Sequence, residues 1–251
     1  LIGQGSLLLA QHRFAEALAV GERARDVQDG VARVYGVIAD AQVELGRYDE
    51  AVDSVQRMVD LRPDLASYSR VAYMRELFGD PEGAIEAMQM AVDAHGPAAE
   101  NTEWTRVQLG NLYFGTGDLA TAEALYRDSL ERLPGYVHAL AGLARVRVAQ
   151  GRPAEAVPLY EQAIATMPLP EFVIALGELH EAMGDAEAAQ RQYALVGAMQ
   201  RLFQAQGADV DLELALFEAD HGDAARAVEL ARAAYARRPG IRGAETLAWA
   251  L

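Results

Sequence analysis

Residues 109–134 read LGNLYFGTGDLATAEALYRDSLERLP, and the order of small, bulky and turn-forming residues in this stretch decides the fold. Apolar residues recur at three- and four-residue steps on both sides of Gly117-Asp118, the spacing of one face of an α-helix. Glycine suits the joint because the residue just past a helix end often takes a left-handed φ, which costs glycine nothing; Asp118 can then cap the following helix. Gly110 and Ala122 are small enough for two helices to approach closely, Tyr126 fills the space beside them, and Pro134 stops the second helix. The stretch predicts a helical hairpin.

The same hairpin recurs outward in both directions. The alanine at 122 has counterparts at Ala17, Ala51, Ala84, Ala156, Ala189 and Ala227, with successive intervals of 34, 33, 38, 34, 33 and 38 residues. A fixed period of this size is the signature of a stacked repeat architecture. Small residues return in the first helix at Gly5, Ala39, Ala72, Gly110, Ala144, Gly177 and Ala215. Bulky ones return in the second at Val55, Met88, Tyr126, Tyr160 and Tyr193, and Pro63, Pro134, Pro168 and Pro239 close it. Six joints carry glycine, at 46, 79, 117, 151, 184 and 222, whereas the first carries His12. Asp80, Asp118, Asp185 and Asp223 are placed to cap second helices. Each 38-residue interval exceeds the others by about one helical turn. The later one predicts a second helix running unbroken from about Ala186 to Gln206. In the earlier one Gly96-Pro97 ends a helix, and Ala98 to Glu103 either extend the next helix backward or form a longer loop.

The positions that repeat carry a family resemblance. Leu109-Gly110-Asn111-Leu112-Tyr113, Gly117-Asp118, Ala122, Tyr126 and Pro134 resemble the tetratricopeptide repeat, as do Leu143-Ala144, Gly151-Arg152, Ala156, Tyr160, Ala163 and Pro168. The resemblance covers essentially the whole chain. It departs from the family where Tyr35 and Leu140 replace an early tryptophan, and where Gly21 and Ala231 replace large residues. It implies an all-α, right-handed α-α superhelix of about seven helical hairpins plus one terminal helix. This is a single solenoid over 1–251, with repeats near 1–31, 32–64, 65–97, 98–136, 137–169, 170–207 and 208–240 and a partial unit at 241–251. Apolar Leu7, Leu8, Leu247 and Leu251 at its two ends are expected to lack partners, so the ends should fray.

Composition bounds the function. The chain has 37 acidic and 22 basic residues and a net charge of −15, which argues against a nucleic-acid backbone or an anionic membrane as main partner. A basic or polar protein suits it better. There is no cysteine, hence no disulfide or thiolate chemistry, and no apolar run reaches the length of a membrane span. All 22 basic residues are arginine, which with the high alanine content points to a GC-rich, bacterial gene; the compartment stays open between cytoplasm and periplasm. The start without Met and the close on Leu247-Ala248-Trp249-Ala250-Leu251 are expected of a fragment of a longer chain.

Motifs for chemistry are weak. His12, His95, His138, His180 and His221 have no partner at metal-binding spacing, so no metal or other cofactor is expected. His180 lies two residues from Glu178 and one from Glu181, spacings that point side chains in different directions on a helix, so this cluster reads as ordinary surface. Neither a G-x-S-x-G elbow nor a phosphate-binding loop occurs, and abundant carboxylates are ordinary for a solvated acidic surface. A non-enzymatic scaffold or adaptor is expected.

Stacked hairpins of this family leave a concave groove lined by the first helix of each repeat. The resemblance places Arg33, Asp40, Arg70, Tyr73, Trp104, Gln108, Asn111, His138, Arg145, Glu178 and Glu213 there. Trp104, Tyr73, Arg70 and Arg145 are of the types that dominate binding energy, although Trp104 and Tyr73 could equally pack between repeats. Some family members clamp a partner's C-terminal carboxylate with lysines, asparagines and arginines in three adjacent repeats. This chain lacks lysine and has Gly142 and Glu171 at the positions following Asn111, which argues against that mode. A peptide or protein held in the groove is the leading expectation. Two others stand beside it: the recognition arm of a larger enzyme such as a glycosyltransferase, and self-association through the terminal repeats.

Overall fold

A computed structural model describes residues 1–94, 99–207 and 209–251, with the side chain of Ala99 also outside the description. Among the described residues there are fifteen α-helices and no strand. They pair as hairpins: α1 (Ile2–Ala10) with α2 (Phe14–Val27), α3 (Ala32–Glu44) with α4 (Tyr48–Leu61), and α5 (Leu65–Leu77) with α6 (Pro81–Asp93). Next come α7 (Ala99–Gly115) with α8 (Leu119–Arg132), α9 (Val137–Ala149) with α10 (Pro153–Thr166), and α11 (Pro170–Ala182) with α12 (Ala186–Ala205). The last pair, α13 (Asp211–His221) with α14 (Ala224–Arg237), is followed by α15 (Ile241–Ala250).

Local chemistry accounts for these limits. The helices α4, α8, α10 and α14 each end two residues before their proline, at Leu61, Arg132, Thr166 and Arg237, because a residue preceding proline is disfavoured in helical geometry. Each of the four joint aspartates accepts a backbone N–H in the first turn of the next helix. These are Gly83 to Asp80 at 2.9 Å, Thr121 to Asp118 at 3.0 Å, Ala188 to Asp185 at 2.9 Å and Arg226 to Asp223 at 2.9 Å. Five joint glycines have positive φ. Gly222 departs from the expected pattern with φ −134°, and there the Glu218 carboxylate accepts the Asp223 N–H instead. His12 adopts φ 57° itself, a conformation a non-glycine residue holds only when its surroundings enforce it.

Both long intervals resolve into longer helices. The extra turn of the earlier one lies in α7, which starts at Ala99 and runs 17 residues; Gly96-Pro97 lies outside the described residues. The later one is α12, 20 residues long, continuing through Gly197 and stopping before Gly207 at φ 80°.

The chain divides into two compact units, residues 64–198 and residues 1–63 with 199–251. In the first, each apolar cluster draws on three successive helices. Ala72, Met88 and Leu109 represent α5, α6 and α7; Val107, Tyr126 and Leu143 represent α7, α8 and α9; Leu140, Tyr160 and Leu176 represent α9, α10 and α11. Tyr126 is fully buried between Gly110 and Gly142, and a Cβ added at either glycine would lie 2.6 Å from its ring. Gly177 stands in the same relation to Tyr193, at 2.5 Å.

Charge also links neighbouring hairpins here. Arg147 on α9, 7% exposed, donates from Nη2 to Glu123 Oε1 on α8 at 2.9 Å, and Gln150 donates to Glu123 Oε2 at 2.8 Å. Arg127 closes on the same carboxylate at 2.5 Å. Chiefly through the Arg147 hydrogen bond, Glu123 is held far below the usual carboxylate range, at about 2.

The second unit joins the two ends of the chain. Its first half packs Leu8, Leu18, Val34 and Ile38 of α1, α2 and α3 in one cluster. The Asp209 N–H donates to Gln11 O at 3.0 Å, and His12 Nδ1–H donates to Asp209 O at 2.9 Å. The Ile241 N–H donates to the Tyr48 hydroxyl at 2.6 Å, and the Arg238 guanidinium lies 5.4 Å from the Phe14 ring centroid. Gly46 leaves no room for a side chain, since a Cβ there would meet Pro239 O at 2.8 Å. Of the four end residues expected to lack partners, Leu8 is corrected, being buried in the α1–α3 cluster, whereas Leu7 and Leu251 are exposed.

Two outcomes test this packing. Gly110→Ala is expected to lower stability by about 1–3 kcal/mol through overpacking against Tyr126, whereas Gly3→Ala, with nothing within 4 Å of its Cβ, is expected to add about 0.5 kcal/mol. Urea midpoints of the two variants should move in opposite directions. Glu123 has its folded pKa depressed, so its contribution is present above the unfolded value near 4.5 and is lost as pH falls toward 2. Glu123→Gln should therefore cost about 3 kcal/mol at neutral pH and flatten the loss of stability between those two pH values, read by denaturation at a series of pH values.

Candidate functional site

The residues expected in the groove fall mainly on the first helices of the 64–198 unit: Arg70 and Tyr73 on α5, Trp104, Gln108 and Asn111 on α7, His138 and Arg145 on α9, and Glu178 on α11. Arg33 and Asp40 lie on α3 and Glu213 on α13, in the other unit. Repeating positions alone put them on equivalent helices; side-chain contacts decide which of them act together.

Asn111 is the centre of the group that the structure brings together. Its Oδ1 accepts the Tyr126 hydroxyl at 2.8 Å and an Arg145 N–H at 3.4 Å, while its Nδ2 donates to Gln108 Oε1 at 3.2 Å. Burial of Tyr126 pushes its hydroxyl up to about 12, with Arg145 opposing the shift, so the phenol stays a neutral donor. Arg145 is exposed and lies flat over Phe114, 4.3 Å from the ring centroid, a stacking that holds its long side chain in one place. No carboxylate is within ion-pair distance of Arg145 among the described residues. In a chain with 37 acidic residues, that leaves a cation fixed in position and open to a new acceptor.

The others are placed separately. Trp104 is 41% exposed, an unusual degree for a ring of that size. Arg70 turns back to donate to Ala66 O at 2.9 Å on its own helix. His138 is half-buried, edge-on to Tyr136 and Phe172, and burial lowers its pKa against the pull of Glu171 and Glu100. Glu178 is exposed; nearby, the Tyr193 hydroxyl donates to Glu181 at 2.8 Å and has its pKa raised chiefly by burial and by that hydrogen bond, with Glu178 adding to the effect. Phe114, the platform for Arg145, escaped sequence reasoning because its position reads as ordinary hairpin packing; an aromatic residue 31 positions before an arginine carries no signal by itself.

Among the described residues no three His, Asp or Glu side chains are grouped as a metal site would need, and no helix is long and apolar enough to cross a membrane. Hairpins stacked with small residues against buried rings, and with an irregular polar face on the first helices, define an α-helical repeat solenoid. Models of the tetratricopeptide repeat match residues 2–66, 37–100, 107–169 and 170–194. The chain belongs to that family.

Three solved structures resemble it. The APC/C hetero-tetramer Cut9-Hcn1 contains a chain 15% identical, aligned over 96% of this chain and 46% of that one, with TM-score 0.63; this chain thus spans less than half its length. PilW, a widely conserved type IV pilus biogenesis factor, is 18% identical over 78% of this chain and 90% of its own, with TM-score 0.62. The C-terminal part of a TPR repeat-containing protein from Cytophaga hutchinsonii is 15% identical over 98% and 99%, with TM-score 0.52. At these identities the likeness is one of fold. No curated protein matches the sequence.

Proposed function

We propose that the chain is a protein-interaction scaffold that holds a peptide or protein segment across the first helices α5, α7, α9 and α11. The observation that carries this reading is Arg145, stacked on Phe114, hydrogen-bonded to Asn111 and, among the described residues, without a carboxylate in ion-pair distance. A guanidinium held in this way has lost most of its rotamer freedom before any ligand arrives, which favours binding. Tyr73 on α5 and Trp104 on α7 supply aromatic surface, Gln108, His138 and Glu178 supply polar contacts, and Arg70 adds a second cation on α5. Net charge of −15 favours a basic or polar partner over nucleic acid or an anionic membrane. The segment would be largely basic, with one acceptor facing Arg145. The family supports the scaffold class, and two of the similar structures are a hetero-tetramer and a pilus biogenesis factor by their descriptions. Self-association through the terminal repeats is disfavoured in this reading, because those hairpins already bond to each other within one chain.

Peptides selected from a random displayed library on the wild-type chain provide the test. The Arg70→Ala, Trp104→Ala, Arg145→Ala triple variant should lose binding at least about tenfold, the loss of one to two hot-spot contacts, with unchanged helical circular dichroism. Selected peptides that bind the triple variant as tightly as the wild type would place recognition elsewhere.

A further inference from the structure

The first helices of the 64–198 unit repeat one register near their N-terminal ends. Trp104 on α7, His138 on α9 and Glu171 on α11 each stand six residues before a small packing residue, Gly110, Ala144 and Gly177 respectively. Glu100 precedes Trp104 by four residues, on the same side of α7. Two carboxylates, an indole and an imidazole from three successive repeats therefore share one end of this face, about two helical turns from Arg145 along α9.

Three observations set this corner apart. Trp104, Glu100 and Glu171 are all exposed. Among the described residues neither carboxylate has an arginine within ion-pair distance, whereas the next glutamate on α7, Glu103, is buried and paired with Arg106 at 3.0 Å. The His138 ring is held edge-on to two buried rings, Tyr136 at 5.4 Å and Phe172 at 5.7 Å between centroids. Burial lowers the His138 pKa, and the opposing pull of Glu171 and Glu100 shows that both carboxylates bear on this one ring. The imidazole is thus uncharged at neutral pH and supplies no cation of its own.

We infer that this corner seats a cationic side chain, arginine or lysine, of the peptide segment held across α7, α9 and α11, and that the same segment places a carboxylate on Arg145. This rests on the reading of the first-helix face as the binding surface and adds which charges the bound segment carries. A cation lying on the Trp104 ring is attracted by its quadrupole and has Glu100 one turn away on the same helix. The rings exclude water on one side, so the attraction is screened less than for a pair in open solvent. Charges of opposite sign at a fixed separation also set the register of the segment. His138 and Arg145 are seven residues apart, on the order of 10 Å along a helix, which an extended chain spans in about three residues. A segment with cations alone would set one of them against Arg145, and a wholly acidic one would set carboxylates against Glu100 and Glu171.

Short peptides selected from a displayed random library on the whole chain are the probe. Their sequences should be enriched in Arg or Lys about three or four positions from Asp or Glu. With one such peptide, Glu100→Gln combined with Glu171→Gln should weaken binding about fivefold, the loss of two partly screened ion pairs, with unchanged helical circular dichroism. Glu100→Arg combined with Glu171→Arg should weaken it at least about thirtyfold. Replacing the peptide's cation by glutamate should then recover at least about fivefold on that variant while weakening binding to the wild type, a reversal that damage to the fold cannot produce. Peptides that lose binding in the Arg70→Ala, Trp104→Ala, Arg145→Ala variant yet carry no such cation, or are indifferent to both pairs of glutamate changes, would overturn this inference and leave the scaffold reading standing. A selection that yields no peptide, or only peptides indifferent to that triple variant, would overturn both.

Discussion

A buried ring set against a residue with no side chain is the contact on which the rest of the molecule depends. Tyr126 sits between Gly110 and Gly142 at distances that exclude even a methyl group, so it fixes how α7, α8 and α9 approach one another. Helices can pack this closely only where one surface is nearly flat, and a ring lying on that surface recovers the dispersion energy that glycine alone would forfeit. Gly177 and Tyr193 repeat the device, and Gly5 with Val37 offers a smaller version of it. Because each cluster takes its members from three successive helices, order passes from one hairpin to the next in short steps, as expected of a repeat stack.

The first-helix face inherits its geometry from that packing. Asn111 is one residue from Gly110, so the closeness that brings the Tyr126 hydroxyl to Asn111 also lets Arg145 reach it from the next repeat. Side chains that would be mobile on an isolated helix are thereby held by bonds to neighbouring repeats. Glu123 and Arg147 do the equivalent on the joint side, where a carboxylate shared among Arg147, Gln150 and Arg127 is worth more than an exposed pair because solvent screens it less.

The chain ends illustrate a different constraint. An open stack must leave its terminal hairpins half-covered, yet here Asp209, Arg238 and Ile241 meet Gln11, Phe14 and Tyr48. The joint residue that breaks the repeat pattern lies at this junction. His12 replaces a joint glycine and accepts a left-handed backbone, and Gly46 is both a joint and a point of contact with Pro239. Departures from a repeat mark places where a second requirement acts on the same residue.

How much could be read in advance follows from the range of each interaction. Helix starts at Asp80, Asp118, Asp185 and Asp223, stops before the four prolines, and the extra turn in α12 are set by residues within a few positions of one another, so the linear pattern determined them. The pairing of small with bulky residues was legible for the same reason: it recurs at every period. The partner of His12, by contrast, lies 197 residues away, that of Tyr48 lies 193 away, and the ring beneath Arg145 stands 31 positions earlier without any repeated signal. The amino-acid order by itself determined that this chain forms stacked tetratricopeptide hairpins, because that information is local and repeated seven times. Only the tertiary structure decided which end meets which, and which arginines are held in place or left without an acceptor, because those outcomes depend on a single long-range approach that no periodicity encodes.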